Sequence, residues 1–223
     1  MNLGSHVGDA TADVHANRCL LAQHLGARPV FMNQVHGSAV VLLEQNVPSE
    51  QVDGLTADAC LTRSRGLACT VLVADCLPVL LARSDGTAVA AAHAGWRGLA
   101  GTGEQGVIEA SVAALRADHP NADVVAWLGP CIGPACFEVG DDVRQVFSNA
   151  PAAFEPHGKG KWLGNLPLLA RQKLRDLGVV HIGGNDGSPE WCTVTQSFRF
   201  FSHRRDAARL GSSGRMAACV WLA

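Results

Sequence analysis

Apolar positions in this chain fall into short unbroken runs separated by polar, glycine-rich punctuation, with a few longer stretches of mixed character between them. The first such stretch, about Ala12 to Leu25, predicts a helix with Thr11 or Asp9 as its N-cap and Gly26 just past its end. VFMNQVHGSAVVLLE then reads as two short strands meeting near His36. GLACTVLVAD (66–75) and PVLLAR (78–83) are apolar enough for buried strands, and Ser84-Asp85-Gly86 is turn chemistry before a further strand, TAVAAAH. A helix from about Glu104 to Ala117 follows, then the buried strand VVAWLGP and a Gly/Pro-rich loop over 129–136.

The second half continues with a short helix (Asp141–Ser148), a loose polar stretch around PHGKGK, and a helix from about Asn165 to Leu177 stopped by Gly178. GVVHIGG, WCTVTQ, FRFFS and RMAACVWL read as short strands and turns. Helices and strands mix without a strict βαβ rhythm. The expected class is therefore α+β with a mixed sheet, in one domain spanning 1–223.

Composition narrows the field of functions. The chain of 223 residues is 48% hydrophobic and 17% charged, which is ordinary globular chemistry. A formal net charge of −2 gives no electrostatic reason to expect nucleic acid or an anionic membrane surface. The first residues lack a basic start followed by an apolar run, so no signal peptide is expected, and runs such as Ala68–Val73 are too short to span a bilayer. Eight cysteines sit mostly inside apolar runs with no Cys-x-x-Cys, which points to reduced thiols in a cytoplasm. GLAGTG lacks the order of a dinucleotide fingerprint.

The candidate chemistry lies in AAHAGWRGLAG (91–101) and what precedes it. If 66–93 contains a hairpin turning at 84–86, antiparallel pairing carries Cys76 and His93 to its open end within about one residue of each other. Three readings stand: a buried pair without chemistry, a nucleophile with its base, or two of three metal ligands with His36 as the third. Two histidines, one cysteine and an open fourth position is the arrangement of a catalytic zinc. Arg97, in a glycine loop that leads into a helix, is either an anion contact or a surface guanidinium stacked on Trp96. The other histidines (6, 15, 24, 119, 157, 181) read as solvated or packing residues. Arg204, Arg205 and Arg215 read as solvated charges rather than anion contacts, and Cys131 and Cys136 as structural.

NLGSHVGD, NQVHGSAV, ADCLPVLL, AAHAGWRGLA, GPCIGPACFEVG, FFSHRRD and SSGRMAACVWL occur in this order, and together they resemble the laccase-domain family. Its members are also called multicopper polyphenol oxidase-like proteins and purine nucleoside phosphorylases. The resemblance implies an α/β/β/α layered fold similar to the catalytic domain of cytotoxic necrotizing factor. It implies His36, Cys76 and His93 as the metal-binding catalytic set, with zinc as cofactor and copper accepted in vitro. The implied activities are phosphorolysis of adenosine, inosine or methylthioadenosine and deamination of adenosine, for which zinc suits the activation of water. Arg97 is then a phosphate contact and Asp75 a candidate proton-moving group, against a plain structural role for each.

Against the family pattern, a usual N-terminal segment is expected to be missing, His203 stands in place of a tyrosine, and Asn165 in place of an aspartate. Nine scattered histidines with no His-x-His argue against a multicopper cluster, although two His and one Cys also form the core of a blue-copper site. A metal-free Cys76–His93 hydrolase acting on peptidoglycan precursors, a copper-dependent polyphenol oxidase and a non-catalytic metal-binding protein are the alternatives.

Overall fold

The computed structural model describes residues 1–45, 53–101 and 105–223. In chain order the strands are β1 (Arg28–Phe31), β2 (Val40–Leu43), β3 (Ala59–Thr62), β4 (Leu67–Val73), β5 (Leu77–Arg83) and β6 (Val89–Ala94). They continue as β7 (Val124–Leu128), β8 (Glu138–Gly140), β9 (Phe154–Pro156), β10 (Lys161–Gly164), β11 (His181–Gly184) and β12 (Met216–Trp221). The helices are α1 (Thr11–Leu25), α2 (Trp96–Ala100), α3 (Val107–Arg116), α4 (Asp141–Val146), α5 (Leu166–Asp176) and α6 (His203–Leu210).

A six-stranded mixed sheet in the order β11-β7-β5-β6-β3-β2 forms the centre. Its inner strands are mostly apolar because both faces are largely covered, with Thr62, Arg83 and His93 as the buried polar exceptions in β3, β5 and β6. Val79, Leu81, Ala90 and Ala92 pack on one side with Ile108, Val112 and Leu115 of α3 and with Leu169 and Leu174 of α5. Each large side chain fully buried in this layer contributes on the order of 1.5–3 kcal/mol. Ala91, Val89, Leu80 and Cys60 face the other way, against Val30, Cys69 and Val71 of the three-stranded sheet β1-β4-β12. Beyond that sheet Leu3, Phe31 and Leu72 pack with Leu21 of α1. The layers are therefore α1, a three-stranded sheet, the six-stranded sheet, and a helical layer with α3 and α5: an α/β/β/α stack, as the resemblance implies. The alanines of β6 are what allow two covers to approach so closely. A third small sheet, β8-β10-β9, flanks the helical layer.

Several elements differ from the sequence reading. Neither Thr11 nor Asp9 caps α1; the N-cap is Ala10, without a side-chain bond, while Gly26 closes the helix in the left-handed region at φ 63°. The two strands expected to meet near His36 lie in different sheets, β1 beside β4 and β2 beside β3, with His36 in the loop between them. The expected strands WCTVTQ and FRFFS do not form. A 3-10 turn (Pro189–Trp191) and tight turns replace them, because the Arg205 guanidinium takes the carbonyls of Thr193 (2.7 Å), Val194 (3.2 Å) and Phe200 (3.0 Å). PHGKGK is bounded by strands, as the tip joining β9 to β10. β3, β8, β9 and β10, each of three or four residues, have no counterpart in the sequence reading. Asn165 does cap α5, its Oδ1 accepting the Leu168 N–H at 2.9 Å. The expected helix start at Glu104 lies outside the described residues; α3 begins at Val107.

Candidate metal centre and pocket

His36, Cys76 and His93 come from three separate places and converge where the two larger sheets end. His93 lies one residue before the end of β6, on the inter-sheet face that also carries Val89 and Ala91. Cys76 immediately precedes β5, after Asp75 at φ 94°, and His36 sits in its loop at φ 63°. Such backbone conformations are costly for residues other than glycine and persist only where surrounding contacts hold them. The donor atoms of the three side chains all lie within 4.8 Å of one another. The two imidazole rings meet edge to face, 4.8 Å between centroids and 67° between planes.

The hairpin argument needs one correction. β5 and β6 pair Leu77 with Ala94 and Pro78 with His93, so Cys76 comes level with Gly95, two residues beyond His93 rather than within one. The thiol reaches the imidazole diagonally across the open end. Gly95 is the residue that makes room: a Cβ there would stand 2.8 Å from Cys76 Sγ and 3.1 Å from His36 Cδ2. Gly98 plays the corresponding part for the backbone, since a Cβ there would meet the carbonyls of Gly37 at 3.1 Å and His93 at 3.2 Å.

Asp58 is the residue of this group that sequence reasoning missed. It is fully buried just before β3, and its carboxylate accepts the backbone N–H groups of Val35 (3.1 Å), His36 (2.8 Å) and Gly37 (2.7 Å). Its Oδ1 also accepts from His93 Nδ1 at 2.8 Å, which leaves Nε2 as the His93 ring nitrogen available to Cys76. A single carboxylate thus fixes the strained loop of one histidine and the ring of another. The only local signal is an Asp directly ahead of the short apolar run ACL.

Charges within the group support one another. Burial pushes the Cys76 thiol up, but the His93 charge and hydrogen bonds to His36 and His93 outweigh it and bring the thiol down to about 6. Burial pushes His93 down, while the Cys76 thiolate and Asp58 raise it to about 9. Asp58 is raised by burial and lowered further by His93 and the Gly37 and Val35 amides, so it is held below the usual carboxylate range.

The group lines a cavity of about 470 Å³, a size that admits a small molecule. Trp96, Ile132, Phe137 and Leu166 give it an apolar wall, and Arg97, Arg204 and Arg215 also line it. Arg97 is exposed and stacks on Trp96, its guanidinium carbon 4.5 Å from the ring centroid, so the stacked geometry and the pocket position both hold. Asp75 lines the pocket too, with Oδ1 accepting from Thr193 Oγ1 at 2.5 Å and Oδ2 from the Arg204 N–H at 2.6 Å. Arg205 and Arg215 are not solvated charges: both are half-buried and bonded to backbone carbonyls. His6 and His203 line the cavity as well, and the one group of three metal-ligating side chains among the described residues is His36, Cys76 and His93. All eight cysteines are free thiols, with Cys131 buried and Cys136 half-buried in the loop behind the cavity.

The family model described as multi-copper polyphenol oxidoreductase laccase matches residues 1–223. The chain belongs to this family. It is 45% identical to the purine nucleoside phosphorylase YfiH of Escherichia coli strain K12, over all of this chain and 86% of that protein. A crystal structure of a Neisseria meningitidis protein, 42% identical, superposes with a TM-score of 0.85 over 99% of this chain and 86% of that one. YlmD of Geobacillus stearothermophilus, 31% identical, gives a TM-score of 0.87 over 99% of this chain and 84% of that one. Among the described residues no helix is long and apolar enough to cross a membrane.

Proposed function

We propose that this chain is a zinc-dependent purine nucleoside phosphorylase, with adenosine, inosine and methylthioadenosine as substrates and deamination of adenosine as a second activity, acting in the cytoplasm as one domain over 1–223. The observation that carries the reading is the convergence of His36, Cys76 and His93 in a cavity that offers both an apolar wall and guanidinium groups. The relatives' name, purine nucleoside phosphorylase, supports the substrate class.

The donor set fits zinc. Two imidazoles and a thiol already lowered to about 6 are the ligand types of a catalytic zinc with an open position, and Asp58 supplies the outer carboxylate that orients His93. His36, Cys76 and His93 would hold the ion, and the same donor types would also suit copper in vitro. When bound, a divalent ion supplies Lewis-acid polarisation and water activation. The chain's own residues do the rest. Trp96, Ile132 and Phe137 take the flat purine against apolar surface and exclude water. Arg97 is one candidate contact for phosphate, and Asp75, fixed by Thr193 and Arg204, is the candidate for moving a proton at the sugar or base.

The chain Asp58–His93–Cys76 also favours a second reading, a metal-free cysteine hydrolase with a base-oriented thiolate, acting on peptidoglycan precursors. Metal analysis of protein purified without added metal, with inosine and adenosine turnover before and after chelation, decides between them. Stoichiometric zinc and turnover lost on chelation supports the nucleoside enzyme. Activity that survives chelation but not iodoacetamide replaces it with the hydrolase, polyphenol oxidation that depends on copper replaces it with a laccase-type enzyme, and metal without turnover leaves a binding protein.

A further inference from the structure

We infer that Arg215 is the principal contact for the phosphate oxyanion in this cavity, on a subsite built where the Asn2–Gly4 segment meets the Ser213–Arg215 segment. The inference rests on the phosphorylase reading for the identity of the anion, inorganic phosphate. The Arg215 stem is clamped. Its backbone N–H donates to Asn2 Oδ1 at 2.8 Å and its carbonyl accepts from the Leu3 N–H at 3.1 Å. Gly4 lies against the stem so closely that a Cβ there would stand 2.8 Å from Arg215 Cγ.

Within the guanidinium, Nη1 donates to the carbonyls of Ser213 at 2.6 Å and Gly214 at 3.3 Å. Nε and Nη2 have no hydrogen-bond partner among the described residues, and no carboxylate there forms an ion pair with Arg215. A half-buried cation with two unclaimed donors on a rigid stem is what a tetrahedral oxyanion needs, because the fork is already oriented before the anion arrives. Arg97, by contrast, is exposed and stacked on an indole, and Arg204 spends its guanidinium on the carbonyls of Cys136 (3.3 Å) and Glu138 (3.2 Å). His6, from the same N-terminal segment, lines the cavity beside Arg215 and adds a further donor.

In the step this serves, a phosphate oxygen forms a bond to C1′ of the ribose as the C1′–N9 bond breaks. The bonding pair leaves on the purine, which takes a proton, and the products are ribose 1-phosphate and the free base. Arg215 touches the attacking group throughout and offsets its negative charge while it is held against C1′.

The test uses the zinc-loaded full chain, with Arg215→Met to keep the stem and remove the charge, and Arg215→Lys to keep the charge and remove the fork. Inorganic phosphate is titrated calorimetrically, and its KM is measured in inosine phosphorolysis. Arg215→Met is expected to weaken phosphate at least tenfold in both readouts, with partial recovery in Arg215→Lys and the inosine KM within twofold of the parent. Should the Met variant fail to fold, a several-fold loss of phosphate affinity in Arg215→Lys supports the same contact. Phosphate binding unchanged in the variants, or absent from the parent, overturns the inference. Loss of adenosine 5′-monophosphate binding with inorganic phosphate unaffected also overturns it, by assigning the cation to a nucleotide. If phosphate binds through Arg215 but no nucleoside turns over, the subsite stands and the phosphorylase reading falls.

Discussion

Asp58 Oδ1 lies 2.8 Å from His93 Nδ1 and, through the same oxygen, 2.8 Å from the backbone nitrogen of His36. Two candidate ligands from different parts of the chain are therefore aligned by one buried group. Asp58→Ala leaves three backbone N–H groups and one ring N–H without an acceptor in a buried place. The expected cost is on the order of 3 kcal/mol of stability. Asp58→Asn, which keeps the shape, is expected to weaken zinc by roughly 10–100-fold. Urea unfolding and chelator competition measure the two effects. Zinc affinity unchanged in Asp58→Asn would remove Asp58 from the centre.

The ligand set itself is open to direct test. His36→Ala, Cys76→Ala and His93→Ala should each abolish both zinc and turnover while far-ultraviolet circular dichroism stays that of the parent. The stack of layers does not depend on these side chains, since its two large cores are apolar residues elsewhere. Any variant that retains stoichiometric zinc takes its residue out of the set.

Gly95→Ala is a methyl-sized change with a specific target. The new Cβ would crowd Cys76 Sγ at 2.8 Å and His36 at 3.1 Å, so either the thiol or the imidazole must move. Overpacking of this kind costs about 1–3 kcal/mol. Zinc affinity is expected to fall more steeply than stability, because the displaced atoms are the donors. Equal losses in both would place the strain in the backbone instead.

In the metal-free protein the Cys76–His93 pair sets a pH signature. The thiol is lowered to about 6, so the rate of iodoacetamide alkylation at Cys76 should rise as pH passes through about 6 rather than near the usual 9 of a thiol. The signs of the two linkages to stability are opposite. The lowered thiol contributes stability that is full above pH 9 and lost as pH falls through about 6. The raised imidazole contributes stability that is full below 6.5 and lost as pH rises through about 9. The ion pair is thus intact between those limits. In His93→Gln burial is left less opposed, and the alkylation midpoint should move up. A midpoint that stays near 6 would show that His93 is not its cause.

Much of the layered fold was legible because both faces of the central strands are buried, and such strands must read as unbroken apolar runs. Cys76 and His93 could be brought together from the turn at 84–86 alone, since a hairpin converts chain distance into spatial distance by simple pairing. His36 and Asp58 are different. They reach the site through pairings between distant strands and through a loop wrapped on a carboxylate, and neither leaves a periodic trace. Arg215 looks solvated in the sequence because its partners are backbone carbonyls and the distant Asn2–Leu3 segment, which no local pattern announces. The strands expected at WCTVTQ and FRFFS failed for a related reason: a guanidinium satisfied carbonyls that would otherwise have sought a ladder.

Arg97 offers a final comparison within the same cavity. Its guanidinium lies over Trp96, 4.5 Å from the ring centroid, at an exposed position, where a cation–π contact contributes about 0.5–1 kcal/mol. Arg97→Ala should therefore change stability little. It should raise the KM for phosphate more than the KM for inosine, by a few-fold, because the removed charge faces the anion and the indole remains to meet the base. Steady-state kinetics with each substrate varied in turn separates the two. Equal effects on both constants would mean that Arg97 supports Trp96 and leaves phosphate to other cations.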